Sequence, residues 1–149
     1  MGDNSFLQFC IAGDVEGVQA AIANGADVNE ASYFGDTGLM VALLDRNHNV
    51  LQLLLQHPQI DINKVDTGGR NALHLAAIQD NHEGLAAILA RHDVLTTTIN
   101  QRTNGNGKSP IMWAVWFNAV NCFHLLLTNP LVDLDTRDNH QRSPQEVCG

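Results

Sequence analysis

An all-α solenoid of stacked helix-turn-helix units joined by extended turns is the fold class that the sequence predicts. Three observations carry that expectation. The first is a recurring block: Gly35-Asp36-Thr37-Gly38-Leu39-Met40-Val41-Ala42 aligns with Gly69-Arg70-Asn71-Ala72-Leu73-His74-Leu75-Ala76. Gly107-Lys108-Ser109-Pro110-Ile111-Met112-Trp113-Ala114 follows the same pattern, and Gln141-Arg142-Ser143-Pro144 is a partial copy. The third position of the block falls at residues 37, 71, 109 and 143, in steps of 34, 38 and 34. Extrapolated backwards it lands on Asn4, just before Phe6-Leu7-Gln8-Phe9-Cys10. The second observation is a marker recurring in phase with the first: Gly25-Ala26-Asp27-Val28-Asn29, Ile60-Asp61-Ile62-Asn63 and Val132-Asp133-Leu134-Asp135. The third is helical apolar spacing between the markers. A fixed period of this length is the signature of a repeat stack.

The period divides one domain, residues 1–149, into units at approximately 4–32, 33–66, 67–103 and 104–137, with a partial unit at 138–149. Each unit reads as a polar turn, a short helix, a tight reversal and a second helix. In the third unit the first helix is expected from Ala72 to Gln79, with Leu73, Ala76 and Ala77 on one face. Asp80-Asn81 reverses the chain, and the second helix is expected from Glu83 to Arg91, burying Leu85, Ile88 and Leu89. Thr37, Asn71, Ser109 and Ser143 stand where a side-chain oxygen accepts from an unpaired N–H of the first helix turn. Ala42, Ala76 and Ala114 allow first helices to approach closely. One such unit cannot bury its own apolar face, so stability becomes a sum of neighbour interfaces.

Departures from regularity cluster after the second helices. Single extra residues fall in Gln56-His57-Pro58-Gln59 and Thr128-Asn129-Pro130-Leu131. A longer addition spans Arg91 to Thr98, and Asn104-Gly105-Asn106 lengthens the following turn. Between the helices a glycine survives only as Gly13, replaced by Arg46, Asp80 and Asn118 in the later units.

Both markers together resemble the ankyrin repeat, with its Gly-x-Thr-Pro-Leu-His-x-Ala-Ala start and Gly-Ala-Asp-Val-Asn end, over essentially the whole chain. The resemblance implies a protein-binding module without catalysis. It gives His74 a structural role, hydrogen-bonding neighbouring turns. It also places positions five and six after the repeat's leading Leu in a concave groove, where many members carry polar or mixed residues. Here those positions read Ile11/Ala12, Leu44/Asp45, Ile78/Gln79 and Trp116/Phe117, an apolar ladder ending in two aromatics. A contiguous apolar strip of this kind marks an interaction surface. Tyr33 and Phe34 at the first turn tip, with Arg70 and Lys108 from later turns, complete the expected partner-binding set. Trp113 is expected in the core. The family is also a substrate of an asparaginyl hydroxylase, and Asn63 fits the modified context best, ahead of Asn29.

Composition bounds the rest. The chain is 44% hydrophobic and 16% charged, and no apolar run reaches the ~20 residues that a spanning helix needs. Met1-Gly2-Asp3-Asn4-Ser5-Phe6 lacks a signal peptide's basic start and apolar core. Phe6 also stands where a myristoylation pattern needs Ser or Thr. Cys10, Cys122 and Cys148, odd in number and far apart, read as reduced thiols, so the expected compartment is cytoplasm or nucleus. Of the formal charge of −8, seven units lie in residues 1–45, which hold seven acidic residues and no Lys or Arg. That field repels phosphate backbones, so no nucleic-acid partner is expected, and without a spanning run or lipidation pattern no membrane partner is expected either.

Chemical motifs do not survive the repeat. Gly105-Asn106-Gly107-Lys108-Ser109 ends like a phosphate-binding loop, but Arg102 stands where that loop needs its first glycine. His48 and His82 fall on equivalent loop positions, yet no Cys and no i, i+4 His pair accompanies them, so no metal is expected. No triad or paired carboxylates emerge, and no cofactor is implied. The expected partner is a protein or peptide, partly hydrophobic with basic residues at one end. Two alternatives stay open at this point: the N-terminal adaptor region of a larger signalling protein or enzyme, and a self-associating module.

Overall fold

A computed structural model describes residues 5–147, so Asn4 and Cys148 lie outside the described residues. The chain forms α1 (Ser5–Ala12), α2 (Val15–Ala23), α3 (Gly38–Leu44), α4 (His48–Leu55), α5 (Ala72–Ile78), α6 (His82–Leu89), α7 (Thr96–Ile99), α8 (Pro110–Trp116), α9 (Val120–Leu127) and α10 (Pro144–Val147). Helices α1, α3, α5, α8 and α10 stack in one row; α2 packs on α4 and α6 on α9 in a second. Leu39, Leu43, Leu51, Leu73, Leu85, Ile88 and Ile111 belong to one apolar core running through the stack. Most helices have only seven to nine residues. Such helices are marginal in isolation, so packing holds them.

The expected first helix of the third unit is present, with Gln79 as its C-cap. The second begins one residue earlier than expected and ends at Leu89. Arg91 lies past the Ala90 C-cap, its N–H bonding the Ile88 carbonyl, and its side chain donates to the Leu55 carbonyl and pairs with Asp93. The longer addition after α6 folds into α7, a helical turn that residue spacing did not announce. Its Thr98 hydroxyl lies 2.6 Å from Asn63 Oδ1, and its Thr98 carbonyl accepts from Asn71 Nδ2 at 2.7 Å.

Polar side chains link each unit to the next. Asn29 donates to the Gln59 carbonyl and accepts from Asp61 N–H; Asn63 does the same with Asp93 and Leu95, and Asn100 with Leu131 and Asp133. The turns before the first helices also pair directly. Phe34 O accepts from Thr67 N–H, Gly68 O from Asn104 N–H, and Asn106 O from Asn139 N–H. Gly35 sits at φ 83°, and a Cβ there would meet Asp66 Cα at 2.8 Å, so only glycine allows both the turn and the approach of its neighbour.

Capping divides the first helices. Thr37 Oγ1 accepts from Met40 N–H at 3.3 Å, and Asn71 Oδ1 accepts from Leu73 and His74 N–H. Ser109 is a correction: its hydroxyl is buried without a partner and makes no cap bond. Pro110 at the first helical position removes one N–H that would otherwise need a partner. At Ser143 the observed bond is the reverse one, its N–H donating to Glu146 Oε2 at 2.7 Å.

The glycine-replacing residues all take the left-handed conformation: Arg46, Asp80 and Asn118 have φ of 59°, 50° and 55°, beside Gly13 at 71°. Asp80 has a compensating task. Its carboxylate accepts from Cys122 N–H at 2.9 Å and Asn121 Nδ2 at 3.0 Å, capping α9, whose own N-cap is the apolar Ala119. Partial burial opposes the Asp80 charge, but these donors hold its carboxyl below the usual range.

His74 is buried between turns. Asn71 N–H donates to Nδ1, so the Nε2–H tautomer donates to the Lys108 carbonyl at 2.9 Å. Burial lowers its pKa from 6.5 to about 4, against the opposing pull of that carbonyl.

Two predictions follow from this packing. Asp80→Ala should cost about 2 kcal/mol by removing the α9 cap and by replacing Asp, which tolerates the left-handed conformation, with Ala, which tolerates it less; Asn118→Gly should stabilise by roughly 0.5 kcal/mol. Urea unfolding of the two variants checks the pair. Between pH 6.5 and 4 the unfolded chain binds a proton at His74 that the folded chain refuses. Stability from this group is therefore complete above pH 6.5 and falls as pH drops to about 4, by on the order of 3 kcal/mol. Thermal melts of His74→Gln should lose that part of the acid slope.

Candidate partner-binding surface

Stacking of α1, α3, α5 and α8 brings Ile11, Leu44, Ile78 and Trp116, equivalent positions of successive units, into one row. The ends of the row are open: Ile11 is 50% exposed and Trp116 55%, with Phe117 exposed beside it. Leu44 and Ile78 are half-buried, so the middle of the ladder is shallower than its ends. Asp45 and Gln79 flank it, both exposed. Tyr33 is 93% exposed and Phe34 65%, their rings in edge contact at 5.3 Å at the tip of the turn before α3.

The turn cations differ from expectation. Lys108 is not a surface contact: it is buried, with Nζ 2.7 Å from the equally buried Asp138 carboxylate. Arg142 Nε approaches the same carboxylate at 3.1 Å, and the N–H groups of His140 and Arg142 donate to its other oxygen. Burial opposes the Asp138 charge, but the Lys108 ammonium and these donors outweigh it and hold the carboxyl far below the usual range. The ammonium also lies 4.8 Å from the centre of the Trp116 ring. Lys108 therefore acts beneath the surface, giving Trp116 a charged platform. Arg70, at the equivalent position one unit earlier, stays half-exposed. Its Nε is 2.7 Å from the buried Asp66 carboxylate and its Nη2 is 3.7 Å from Asp36.

Phe117 is braced as well. Trp113 lies 5.4 Å from it and 5.1 Å from the buried His74, so the expected core residue Trp113 is half-buried and joins core to surface. Sequence reasoning missed Asp138 and Arg142. The signal was present in the shared Asp-x-x-x-Arg spacing of Asp66–Arg70 and Asp138–Arg142. It also missed the full engagement of Asn63, the expected hydroxylation position, whose amide holds two neighbouring backbone groups.

Burial pushes the thiols of Cys10 and Cys122 up to about 12, far from a nucleophile's range. No group of three or more metal-ligating side chains occurs among the described residues, and His48 contacts Gln52 instead. No described helix is long and apolar enough to cross a membrane.

Comparison with known proteins shows the family of the repeats. The family model for ankyrin repeats in three copies matches residues 6–98 and 61–138. A putative ankyrin repeat protein of fowlpox virus is 30% identical over 131 residues, covering 87% of this chain and 37% of that protein. The human photoreceptor ankyrin repeat protein is 38% identical over 88 residues, 57% of this chain and 19% of that one. An E3 ubiquitin-protein ligase of Arabidopsis thaliana is 38% identical over 91 residues, 60% of this chain and 18% of the ligase. The chain thus spans well under half the length of these relatives.

Removing the buried cation tests the platform. Lys108→Ala should cost roughly 3 kcal/mol, because Asp138 keeps only Arg142 as its counterion. Denaturant unfolding measures the loss. The Asp138 contribution is complete above the ordinary carboxylate pKa and declines as pH falls towards its lowered value, so the wild-type advantage over the variant should shrink in strong acid.

Proposed function

Since the chain belongs to the ankyrin repeat family, we propose that it is a protein-binding module that takes a partly hydrophobic peptide or protein segment along its first-helix row. Ankyrin repeats mediate protein–protein interaction, and this reading adds where and by what chemistry. One observation carries it: Trp116 and Phe117 are exposed yet held from beneath, by Lys108 and by Trp113, at the end of an apolar row. Large aromatics fixed before binding lose little freedom on contact and are favoured anchors. Ile11, Leu44 and Ile78 would extend the contact, with Asp45 and Gln79 lining its edge.

Charge sets the orientation. The first 45 residues carry seven acidic groups and no Lys or Arg, so a basic end of the partner would lie towards Asp45 and the first two units. Arg70, half-exposed between Asp66 and Asp36, would meet an acceptor at the turn tips. Tyr33 and Phe34 supply a second aromatic contact there. The protein's role is binding without catalysis, inside the cell.

Affinity capture from the source cell, with wild type and Trp116→Ala/Ile78→Ala side by side, tests the proposal. The proteins retained by the wild type should be lost from the variant. For an isolated partner segment the affinity should drop by two orders of magnitude or more, roughly 3 kcal/mol. Equal retention by a variant with an unchanged circular dichroism spectrum places the binding surface elsewhere.

A further inference from the structure

Three asparagines of this chain are followed by glycine: Asn24-Gly25, Asn104-Gly105 and Asn106-Gly107. Glycine lacks the Cβ that would shield its own backbone nitrogen, so that nitrogen can reach the preceding side-chain amide. An asparagine so placed is chemically labile. What separates the three is the state of the glycine N–H. Gly25 N–H donates to the Ile22 carbonyl at 3.0 Å, and that of the buried Gly107 donates to the Thr103 carbonyl at 3.0 Å. Gly105 N–H donates to no acceptor among the described residues, and Asn104 and Gly105 are both exposed.

The cause lies in how the turns are built. In three of them the side chain of the first residue accepts from the N–H two residues on. Ser32 accepts from Phe34 at 3.2 Å, Asp66 from Gly68 at 2.9 Å and Asp138 from His140 at 2.8 Å. Thr103 begins the corresponding turn of the fourth unit, with Gly105 two residues on. That turn is the lengthened one, and its Thr103 hydroxyl is used differently. It donates to Asn106 Oδ1 at 2.7 Å and accepts from Lys108 N–H at 3.2 Å. Gly105 is thereby left without the clamp that its counterparts have. Asn29, Asn63 and Asn100, which tie units together elsewhere, are followed by Glu30, Lys64 and Gln101, whose side chains hinder the same nitrogen.

We propose that Asn104 is a self-modification site, at which the chain converts its own asparagine to aspartate or isoaspartate. Gly105 N gives its proton to solvent and bonds to Asn104 Cγ, closing a cyclic imide. The Cγ–Nδ2 bond breaks, and Nδ2 leaves as ammonia with a proton from solvent. One water then opens the ring. Cleavage between Cγ and Gly105 N gives aspartate. Cleavage between the Asn104 carbonyl carbon and Gly105 N gives isoaspartate, with the chain rerouted through the side chain. Nothing is oxidised or reduced, and water is the sole co-reactant.

The modification acts on the stack. Asn104 Nδ2 donates to the Thr67 carbonyl of the preceding turn at 3.0 Å, an exposed bond that water can replace. A carboxylate has no hydrogen to donate and sets an anionic oxygen against that carbonyl. Isoaspartate also adds a backbone carbon between Asn104 N–H, which donates to Gly68 O, and Gly105 O, which accepts from Asn139 Nδ2. One event therefore loosens the fourth unit's turn from both of its neighbours.

Peptide mapping by mass spectrometry of the folded 149-residue chain, aged in mildly alkaline buffer at body temperature, tests the site. Acid should form at Asn104 at least fivefold faster than at Asn24 or Asn106, and in urea the three rates should converge. Gly105 does not have a positive φ, and a Cβ there meets nothing within 4 Å, so Gly105→Ala keeps the turn. That variant should slow the reaction at least fivefold. Thr103→Asp supplies the clamp that Asp66 and Asp138 provide and should slow it too, with both reacting residues unchanged. Asn104→Asp should lower the urea midpoint through loss of the Thr67 link. Equal rates at the three sites in the folded chain overturn the proposal, as does an unchanged rate in Gly105→Ala or in a folded Thr103→Asp. An unchanged midpoint in Asn104→Asp overturns the effect on the stack.

Discussion

Asn63 bonds to two backbone groups and a hydroxyl of the next stretch of chain, and Asn29 and Asn100 do the equivalent work on either side of it. Interactions of this kind set the spacing at which one helical pair meets its neighbour. Everything apolar in the molecule relies on that spacing, because Leu43, Leu73 and Ile111 are covered only when α3, α5 and α8 lie against one another. A helix of seven residues has too few internal bonds to persist without this cover. The polar links therefore act as register, and the apolar side chains supply the larger share of stabilisation.

Register has consequences for irregular units. The added residues after α6 fold as α7 because Asn63 and Asn71 both have bonds to satisfy there, and Thr98 answers both. Ala119 cannot cap α9, and Asp80 does so from the preceding unit at the expense of a positive φ. Lys108 could not remain in water once the partial fifth unit packed over it, so Asp138 and Arg142 close a buried charge cluster. In each case a deviation within one unit is met by a side chain from another. Sites that look independent in sequence are thereby coupled, and the aromatic end of the first-helix row depends on the unit that follows it.

The same dependence explains how surface becomes available for binding. Trp116 and Phe117 are exposed because the outer positions of the first helices face away from the stack, and they are held because the layer beneath them is occupied by Lys108 and Trp113. Exposure with support distinguishes them from Leu44 and Ile78, which neighbouring side chains half cover.

The repeat period and the order of short helices were legible in the residues, because stacking demands the same residue types at the same phase in every unit; the role of His74 came from the family resemblance, since Met40 and Met112 stand at its position in other units. The first-helix ladder was read through that same resemblance, which assigns those positions to one face. The fate of Lys108 was not: its position matches Arg70, but one is buried and the other half-exposed. That difference is decided by Trp116 and by Asp138, thirty residues on, which spacing within a unit cannot weigh. Nor could periodicity show that Ser109 leaves its hydroxyl unbonded, or that residues 96–99 form a helical turn. By itself the sequence determined the fold and the faces of its helices, since these follow from local spacing. Only the tertiary structure decided which charges are buried, which caps form and which apolar residues remain uncovered, since each depends on what the neighbouring unit brings into contact.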